Sequence, residues 1–319
     1  MSSLEGELRE GLQLYWQTAG RILAESGVRL ASPGKAYFSL ESNFFSALFL
    51  YSYVRAGIPA GRRALYAAVN QCLRGMVTGC DNLLDNEYKM TLDTDLPAGG
   101  RKFRSILDIM VSDRVLFEIL LDYCRSSGAS IDLVSQAGTA SLHALTRSGA
   151  QEASEEEGIS KRLSPEDVLA RVHHFKTGIL FQCPWAIPSI IEGNRDLANG
   201  PLSRALYMIG MGCQIMDDVV DLVEDIRNRR HNYVASLVEH CSDARPGLRL
   251  QELSAGSAAA FYDEFPEVGR AAYATALDYL ENGLSGLFTD ADRFMVPQAV
   301  TFIARRIGVD RVLSAPGER

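Results

Sequence analysis

Apolar residues recur every three or four positions along most of the chain, and this spacing limits its fold more than any other feature. In the first such run, Leu8, Leu12, Tyr15 and Ile22 are spaced to share one face of a helix. No segment alternates Val, Ile or Thr with polar residues between Asn-Gly or Asp-Gly turns, so strand signals are weak. The sequence therefore predicts an all-α protein.

Helices are predicted in ten runs, most of which are separated by segments that contain proline or glycine. The runs are 5–25, 36–55, 62–88, 103–125, 130–148, 165–192, 201–228, 248–264, 266–288 and 295–307. There is no internal repeat, and no stretch has the composition of a flexible interdomain linker. We expect one helical bundle over residues 1–319.

Charge and cysteine usage exclude some classes of function. The net charge of −8 and the pI of about 5.3 argue against a nucleic-acid partner, because proteins that bind nucleic acid present a basic surface to it. A small anionic substrate remains compatible if metal ions mediate its contact. The six cysteines form no CxxC pair, which favours a reduced, cytoplasmic setting. The sequence shows no signal peptide and no run of about 20 apolar residues that would span a membrane.

Two acidic motifs indicate a metal-binding site. Asp81 and Asp85 are four residues apart, and Asp217, Asp221 and Asp225 repeat the same spacing, so each set shares a helix face. Like charges at this spacing repel, and divalent cations are the usual compensation. Mg²⁺ suits sparse carboxylates because it keeps water and phosphate oxygens as further ligands. Either motif alone is compatible with a solvated acidic face; two in one helical chain favour a metal site.

With a third landmark between them, these motifs resemble those of the trans-prenyltransferase and class I terpene synthase superfamily. The family has a first DDxxD motif and a second one preceded by glutamine, here Gln214. Lys176 and Thr177 resemble its diphosphate-binding Lys-Thr element, and Gly210 and Gly212 resemble its glycine-containing approach to the second motif. The resemblance covers a motif-bearing core at about 30–240, followed by C-terminal helices at 245–310.

The resemblance implies an all-α isoprenoid-synthase bundle around a central apolar cavity, with the two motifs on facing helices at its mouth. It also implies three Mg²⁺ ions bound with a prenyl diphosphate, and a homodimer. The implied metal ligands, which are also catalytic, are Asp81, Asp85, Asp217 and Asp221. Lys176 is implied to be catalytic and to bind substrate, together with Gln214, Phe181, Val77 and one or more of Arg227, Arg229 and Arg230.

The departures from the family pattern concern a second substrate. Chain-elongating enzymes bind isopentenyl diphosphate with a Gly-Lys-Arg segment and a further arginine, whereas this chain has Gly34-Lys35-Ala36-Tyr37-Phe38. They also place paired arginines just after the first motif, where only Lys89 stands here. The residues that would bind a second diphosphate are therefore largely absent from this sequence. Asn82 replaces the second aspartate of the first motif, which need not abolish metal binding.

The sequence favours a Mg²⁺-dependent class I terpene synthase, a carbon–oxygen lyase that ionises one allylic diphosphate of C15–C20 or longer and converts the cation to a terpene. The alternative is a prenyltransferase that joins an allylic diphosphate to isopentenyl diphosphate or to another acceptor. A non-catalytic regulatory subunit of a prenyl synthase is a third interpretation, which the retention of both acidic motifs disfavours.

Overall fold

A computed structural model describes residues 3–85, 88–240, 242–253 and 256–313, and the described residues are predominantly helical. Thirteen α-helices are labelled here in chain order. They are α1 (Leu4–Leu23), α2 (Phe44–Arg55), α3 (Ala60–Leu84), α4 (Arg101–Ser127), α5 (Asp132–Ala153), α6 (Ala186–Ile191), α7 (Pro201–Val220), α8 (Leu222–Arg227), α9 (Tyr233–Glu239), α10 (Ala244–Glu252), α11 (Ala258–Glu264), α12 (Pro266–Leu287) and α13 (Val296–Ile307).

The all-α prediction is confirmed. Within the described ranges the only β pairing is an isolated antiparallel bridge between Leu30 and Thr94. No helix in these ranges has both the length and the apolar character needed to cross a membrane.

The chain divides into two compact units. The first comprises Met1–Thr146 and Cys183–Leu202, and the second comprises Arg147–Gln182 and Ser203–Arg319. The single-domain organisation over 1–319 stays a prediction.

In the first unit, α1 and α4 pack against α3, the helix that carries the first acidic motif. The apolar positions predicted from the spacing of α1 form part of this core: Leu8, Leu12 and Tyr15 are fully buried. At Gly79 the backbones of α3 and α4 approach so closely that a Cβ would lie 2.7 Å from the Ser105 carbonyl oxygen. This contact fixes the end of α3 against α4 immediately before Asp81.

In the second unit, a π-helix (Val168–Gly178) packs against α7, the helix that carries most of the second acidic motif. The missing side chain of Gly210 permits the approach, since a Cβ there would lie 2.9 Å from the Thr177 carbonyl oxygen. The Ile179 backbone N–H donates to the His174 carbonyl five residues earlier, which is the hydrogen bond that defines the wider π turn.

Three predicted helical runs differ from the observed elements. The run 36–55 begins as a 3₁₀ turn (Lys35–Phe38), because the Asn43 side-chain amide donates to the carbonyls of Tyr37 and Ser39 and holds the chain out of the helix. The run 165–192 is interrupted where Pro184 and Pro188 offer no backbone N–H. The run 248–264 is two helices, α10 and α11. Residues 86 and 87 of the run 62–88, and residues 254 and 255 among the C-terminal helices, lie outside the described ranges.

Candidate active site

The first acidic motif occupies the C-terminal end of α3. Asp81 lies in the last turn, and Asp85 caps the helix with a backbone N–H that donates to the Asp81 carbonyl at 2.9 Å. The two carboxylates therefore lie one turn apart on one side of the helix, as predicted. Asp81 is half-buried and Asp85 is exposed, so this pair lies at the surface of the first unit.

Asn82, which lies between these two aspartates in the sequence, has a structural role. Its side chain is buried, with Nδ2 donating to the Lys89 carbonyl at 3.0 Å and Oδ1 accepting from the Lys89 N–H at 2.7 Å. An amide supplies both a donor and an acceptor, which a carboxylate does not. The asparagine that replaces the family's aspartate therefore ties the end of α3 to the backbone of Lys89, which follows the motif.

The second acidic motif runs from the end of α7 into α8. The Asp221 N–H donates to the Asp217 carbonyl at 2.8 Å, and the Asp225 N–H donates to the Asp221 carbonyl at 2.9 Å. The column predicted from the four-residue spacing therefore forms. Asp217 is exposed and Asp221 is half-buried. Asp225 accepts a hydrogen bond from Asn232 Nδ2 at 2.8 Å, and burial followed by the charge of Asp218 raises its pKa.

Asp218, which the sequence interpretation left without a role, is the buried member of this motif. It is 3% exposed, and its carboxylate accepts from Gln214 Nε2 at 3.1 Å and from the Tyr233 N–H at 2.5 Å. His173 Nε2 of the π-helix lies 2.9 Å from the same carboxylate. A signal was present in the sequence, since Gln214 and Asp218 are one turn apart among apolar residues of α7.

The π-helix brings the predicted lysine to the same region of the second unit. Thr177 Oγ1 donates to Gln214 Oε1, which ties the Lys-Thr element to α7 beside Asp218. Lys176 Nζ lies 3.1 Å from Glu152 Oε1, and Ser148 Oγ donates to the Lys176 carbonyl at 2.8 Å. Burial lowers the pKa of Lys176, but the charges of Glu152, Asp225 and Asp218 raise it more, so the net shift is upward. Lys176 is therefore a cation at neutral pH. The sequence interpretation did not identify Glu152.

The other predicted substrate-binding residues differ in how they are held. Gln214 is buried, and the ring of Phe181 packs against Gly210. Arg229 has a positive φ of 55°, and its Nη2 donates to the Ile159 carbonyl at 2.8 Å. Arg227 is exposed and Arg230 is half-buried. The choice among these arginines as diphosphate ligands stays a prediction.

Val77 and a further cation lie on α3 ahead of the first motif. Val77 is half-buried one turn before Asp81, where it was predicted. Arg74 lies two turns before Asp81, and its Nη1 donates to Asn43 Oδ1 at 3.0 Å. The seven-residue separation of Arg74 from Asp81, which places both on one helix face, was an available signal that the sequence interpretation did not use.

The donor chemistry of both motifs fits Mg²⁺. Among the described residues, no group of three or more His, Cys, Asp or Glu side chains is arranged to hold a metal ion. Each motif instead offers a pair of carboxylates one turn apart, and Mg²⁺ commonly binds through one or two carboxylates together with substrate phosphates and water. Asp81, Asp85, Asp217 and Asp221 are therefore suitable ligands for Mg²⁺ that binds with a diphosphate.

Solved structures of prenyl diphosphate synthases share this fold along almost the whole chain. A decaprenyl diphosphate synthase from Rhodobacter capsulatus superposes with a TM-score of 0.60 and 15% identity, over 95% of this chain and 99% of that one. A geranylgeranyl pyrophosphate synthetase from Pyrococcus horikoshii gives 0.59 and 16%, over 95% and 98%. A geranylgeranyl pyrophosphate synthase from Corynebacterium glutamicum, solved with isoprenyl diphosphate and magnesium, gives 0.59 and 16%, over 96% and 98%.

No protein-family model matches the chain, and no curated protein sequence does. The likeness is therefore one of structure. It confirms the predicted fold: the chain has the all-α isoprenoid synthase fold, the fold of the trans-prenyltransferase superfamily.

Proposed function

We propose that this protein is a Mg²⁺-dependent prenyltransferase, which ionises an allylic prenyl diphosphate and joins the prenyl group to an acceptor. The observation that carries the proposal is the network in the second unit. It ties the element bearing Lys176 to the helix bearing Asp217 through Thr177, Gln214 and Asp218. A cation and a column of carboxylates are thus held on one scaffold, as charge stabilisation of a leaving diphosphate requires.

Each group has a distinct task in this mechanism. Asp81, Asp85, Asp217 and Asp221 would hold Mg²⁺, which would supply positive charge to stabilise the negative charge that develops on the diphosphate. Lys176 adds a fixed positive charge, and one of Arg227, Arg229 or Arg230 adds a second. The allylic C–O bond breaks and its electron pair leaves with the diphosphate. The acceptor supplies the pair for the new bond and then loses a proton.

The solved structures support transfer over the lyase reaction that the sequence favoured, because those named above are all prenyl synthases. One observation keeps the single-substrate terpene synthase as a second candidate. Ala36 stands in place of an arginine of the family's second-diphosphate site, and only Lys89 stands where the family has paired arginines just after the first motif.

The two candidates are separated by product analysis. The protein is incubated with Mg²⁺ and a C10, C15 or C20 allylic diphosphate, alone and with isopentenyl diphosphate or a set of neutral alcohols and phenols. Transfer predicts a prenylated adduct that forms only with an acceptor. A hydrocarbon or cyclic alcohol from the single substrate would instead identify a terpene synthase.

Loss of either metal site should abolish ionisation. We expect Asp81→Ala and Asp217→Ala each to lower kcat by at least about a hundredfold, which is typical when one electrostatic contributor to the transition state is removed. Asp113→Ala, at an exposed position on α4, is the control. Full activity in both aspartate variants would refute the metal mechanism.

A further inference from the structure

The first unit contains a cavity that this mechanism leaves without a ligand. Its volume is about 270 Å³, near the lower end of the range for small-molecule sites. It is bordered by α1, by the 3₁₀ turn (Lys35–Phe38), by α3 and by the loop after the first motif. Gly34 and Ala36 on one side and Met90 and Thr91 on the other contribute to its wall.

The charge of this wall is close to balanced. Among the described residues that line the cavity, Arg74 is the one cation and Asp93 the one anion, and the remaining polar residues are neutral. Lys35 and Lys89 adjoin lining residues along the chain but do not line the cavity themselves. Arg74 is supported by Asn43, which is itself buried and anchored through its amide to the carbonyls of Tyr37 and Ser39. A diphosphate carries two or three negative charges, and enclosing them requires several fixed cations. This wall is not built for such a ligand.

Three buried polar atoms of residues in the wall have no hydrogen-bond partner among the described residues. They are Oε1 of Gln71, a residue 2% exposed, the hydroxyl of Tyr37 and Oγ1 of Thr91. An unpaired buried acceptor is unfavourable, so it is a natural partner for a ligand that carries an O–H or N–H donor. The ring of Trp16 packs edge-on against Tyr37, with centroids 5.0 Å apart, and adds an apolar surface beside these atoms.

We propose that this cavity binds a small neutral acceptor with an O–H or N–H donor, and that this molecule receives the prenyl group. This inference rests on the proposed function, whose acceptor it specifies. The donor of the acceptor binds Gln71, and its apolar part lies against Trp16. During transfer the acceptor's oxygen, nitrogen or ring carbon forms the bond to the prenyl carbon, diphosphate leaves with the electron pair, and the acceptor's proton passes to diphosphate or solvent.

Binding of matched probes tests the proposal without any turnover. The probes are 3-methylbut-3-en-1-ol and its diphosphate, isopentenyl diphosphate, each titrated against the full-length protein in the absence of Mg²⁺ and allylic substrate. The chain has two tryptophans: Trp16 lines the cavity and Trp185 is fully buried, so intrinsic fluorescence reports on the site. We expect a saturable change with the alcohol, a binding constant at least about tenfold weaker for the diphosphate, and loss of the signal in Trp16→Phe.

Two variants in the wall of the cavity and one control variant make the result specific to the cavity. Gln71→Leu should weaken binding of the alcohol about tenfold, as expected for loss of a buried hydrogen bond, while Gln13→Leu, at an exposed position on the same helix as Trp16, should leave it unchanged. Ala36→Arg returns a cation to the border of the cavity without altering α3, and should raise affinity for isopentenyl diphosphate at least tenfold. Thermal melting of each variant checks folding.

Tight binding of isopentenyl diphosphate to the wild type, or no saturable response to the alcohol, would overturn the proposal. Either result leaves the proposed function standing, because ionisation of an allylic diphosphate is measured separately with the aspartate variants. Conversely, loss of metal-dependent activity does not affect the binding measurement.

Discussion

At the residue scale, Asn82 is where this chain differs from the family pattern and where the structure gives the difference a reason. Asn82→Asp would restore the family residue but remove the donor that binds the Lys89 carbonyl, leaving a buried carboxylate against a carbonyl oxygen. We expect this change to destabilise the protein by about 1–3 kcal/mol. Denaturant unfolding measures it.

The control for this prediction is Asn194→Asp. Asn194 is exposed and caps a short helical turn through its side-chain oxygen, which accepts from the Asp196 N–H. Aspartate caps as well as asparagine does, so this change should be close to neutral. An Asn82→Asp protein as stable as the wild type would show that the Lys89 contact contributes nothing.

A second residue-scale prediction concerns pH and Asp108 on α4. Burial raises the pKa of this carboxyl to about 6, although the nearby Thr91 side chain, the Leu92 backbone and the charge of Arg104 act to lower it. The folded protein therefore binds a proton here that the unfolded chain releases at about pH 4. Stability contributed by this group falls as the pH rises from about 4 to 6.

Asp108→Asn imitates the protonated carboxyl and removes this pH-dependent penalty. We expect the variant to be more stable than the wild type at pH 7, by at most about 3 kcal/mol, with the difference vanishing below about pH 4. Asp113→Asn, an exposed change on the same helix, is the control for the substitution itself. A stability difference that does not vary between pH 4 and 7 would contradict the predicted titration.

Residue spacing found the column of aspartates in the second motif but did not identify Asp218, which is 3% exposed. Four-residue spacing shows which carboxylates share a helix face, and this recovered the column from Asp217 to Asp225. The spacing does not say that Asp218 is covered, because its partners His173 and Tyr233 are distant in sequence. Lys176 was recognised by its motif, whereas its ion pair with Glu152 depends on tertiary packing.

At the scale of elements, the position of the first motif depends on the close crossing of α3 and α4. Gly79→Ala would place a Cβ 2.7 Å from the Ser105 carbonyl oxygen and 2.7 Å from Ile109 Cγ1. Since the carbonyl belongs to a helix, the helices must separate. We expect the free energy of unfolding to fall by about 1–3 kcal/mol, and half-maximal activity to require a higher Mg²⁺ concentration.

Gly61→Ala on the same helix is the matched control, and we expect it to stabilise the protein, whereas Gly79→Ala should destabilise it. A Cβ at Gly61 meets no atom within 4 Å, so the only effect is the better helix propensity of alanine, worth up to about 1 kcal/mol. Chemical denaturation of both variants tests the pair. If Gly79→Ala is also stabilising, the close approach of α3 and α4 does not constrain the site.

Elements with regular periodicity were predicted closely, and those set by local hydrogen bonding were not. The predictions for α1, α4, α12 and α13 agree with the structure within a few residues, because their apolar faces repeat at the helical period. The π-helix (Val168–Gly178) was predicted only as ordinary helix. Its i→i+5 hydrogen bonds follow from packing against α7 and do not change the pattern of apolar residues.

At the scale of the whole molecule, the fold followed from the sequence while the reaction did not. Helical periodicity predicted an all-α bundle, and the resemblance carried by three motifs implied the isoprenoid synthase fold. If the cavity of the first unit binds the acceptor, as proposed above, the choice between transfer and lyase chemistry depends on which molecule occupies that space. That space is shaped by neutral side chains such as Gln71 and Tyr37, which belong to no motif.

The homodimer implied by the resemblance stays a prediction, and α4 offers a surface for it. Phe103, Ile106, Met110 and Phe117 form an apolar stripe on this helix, the α4 stripe, at spacings of three, four and seven residues. Each of them is between 41% and 62% exposed, while the opposite face of α4 is buried in the first unit. Such a stripe is suited to bury itself against a second copy.

Met110→Glu should therefore convert a dimer into a monomer. A charge in the centre of the α4 stripe would have to be desolvated in the dimer, whereas in a monomer it remains in water and costs little. Light scattering coupled to size-exclusion chromatography should give twice 35.0 kDa for the wild type and 35.0 kDa for the variant. Lys102→Glu, also on α4 but outside the stripe, should leave the dimer intact. A monomeric wild type would refute the predicted homodimer. A dimeric Met110→Glu protein would show that the dimer interface does not include the α4 stripe.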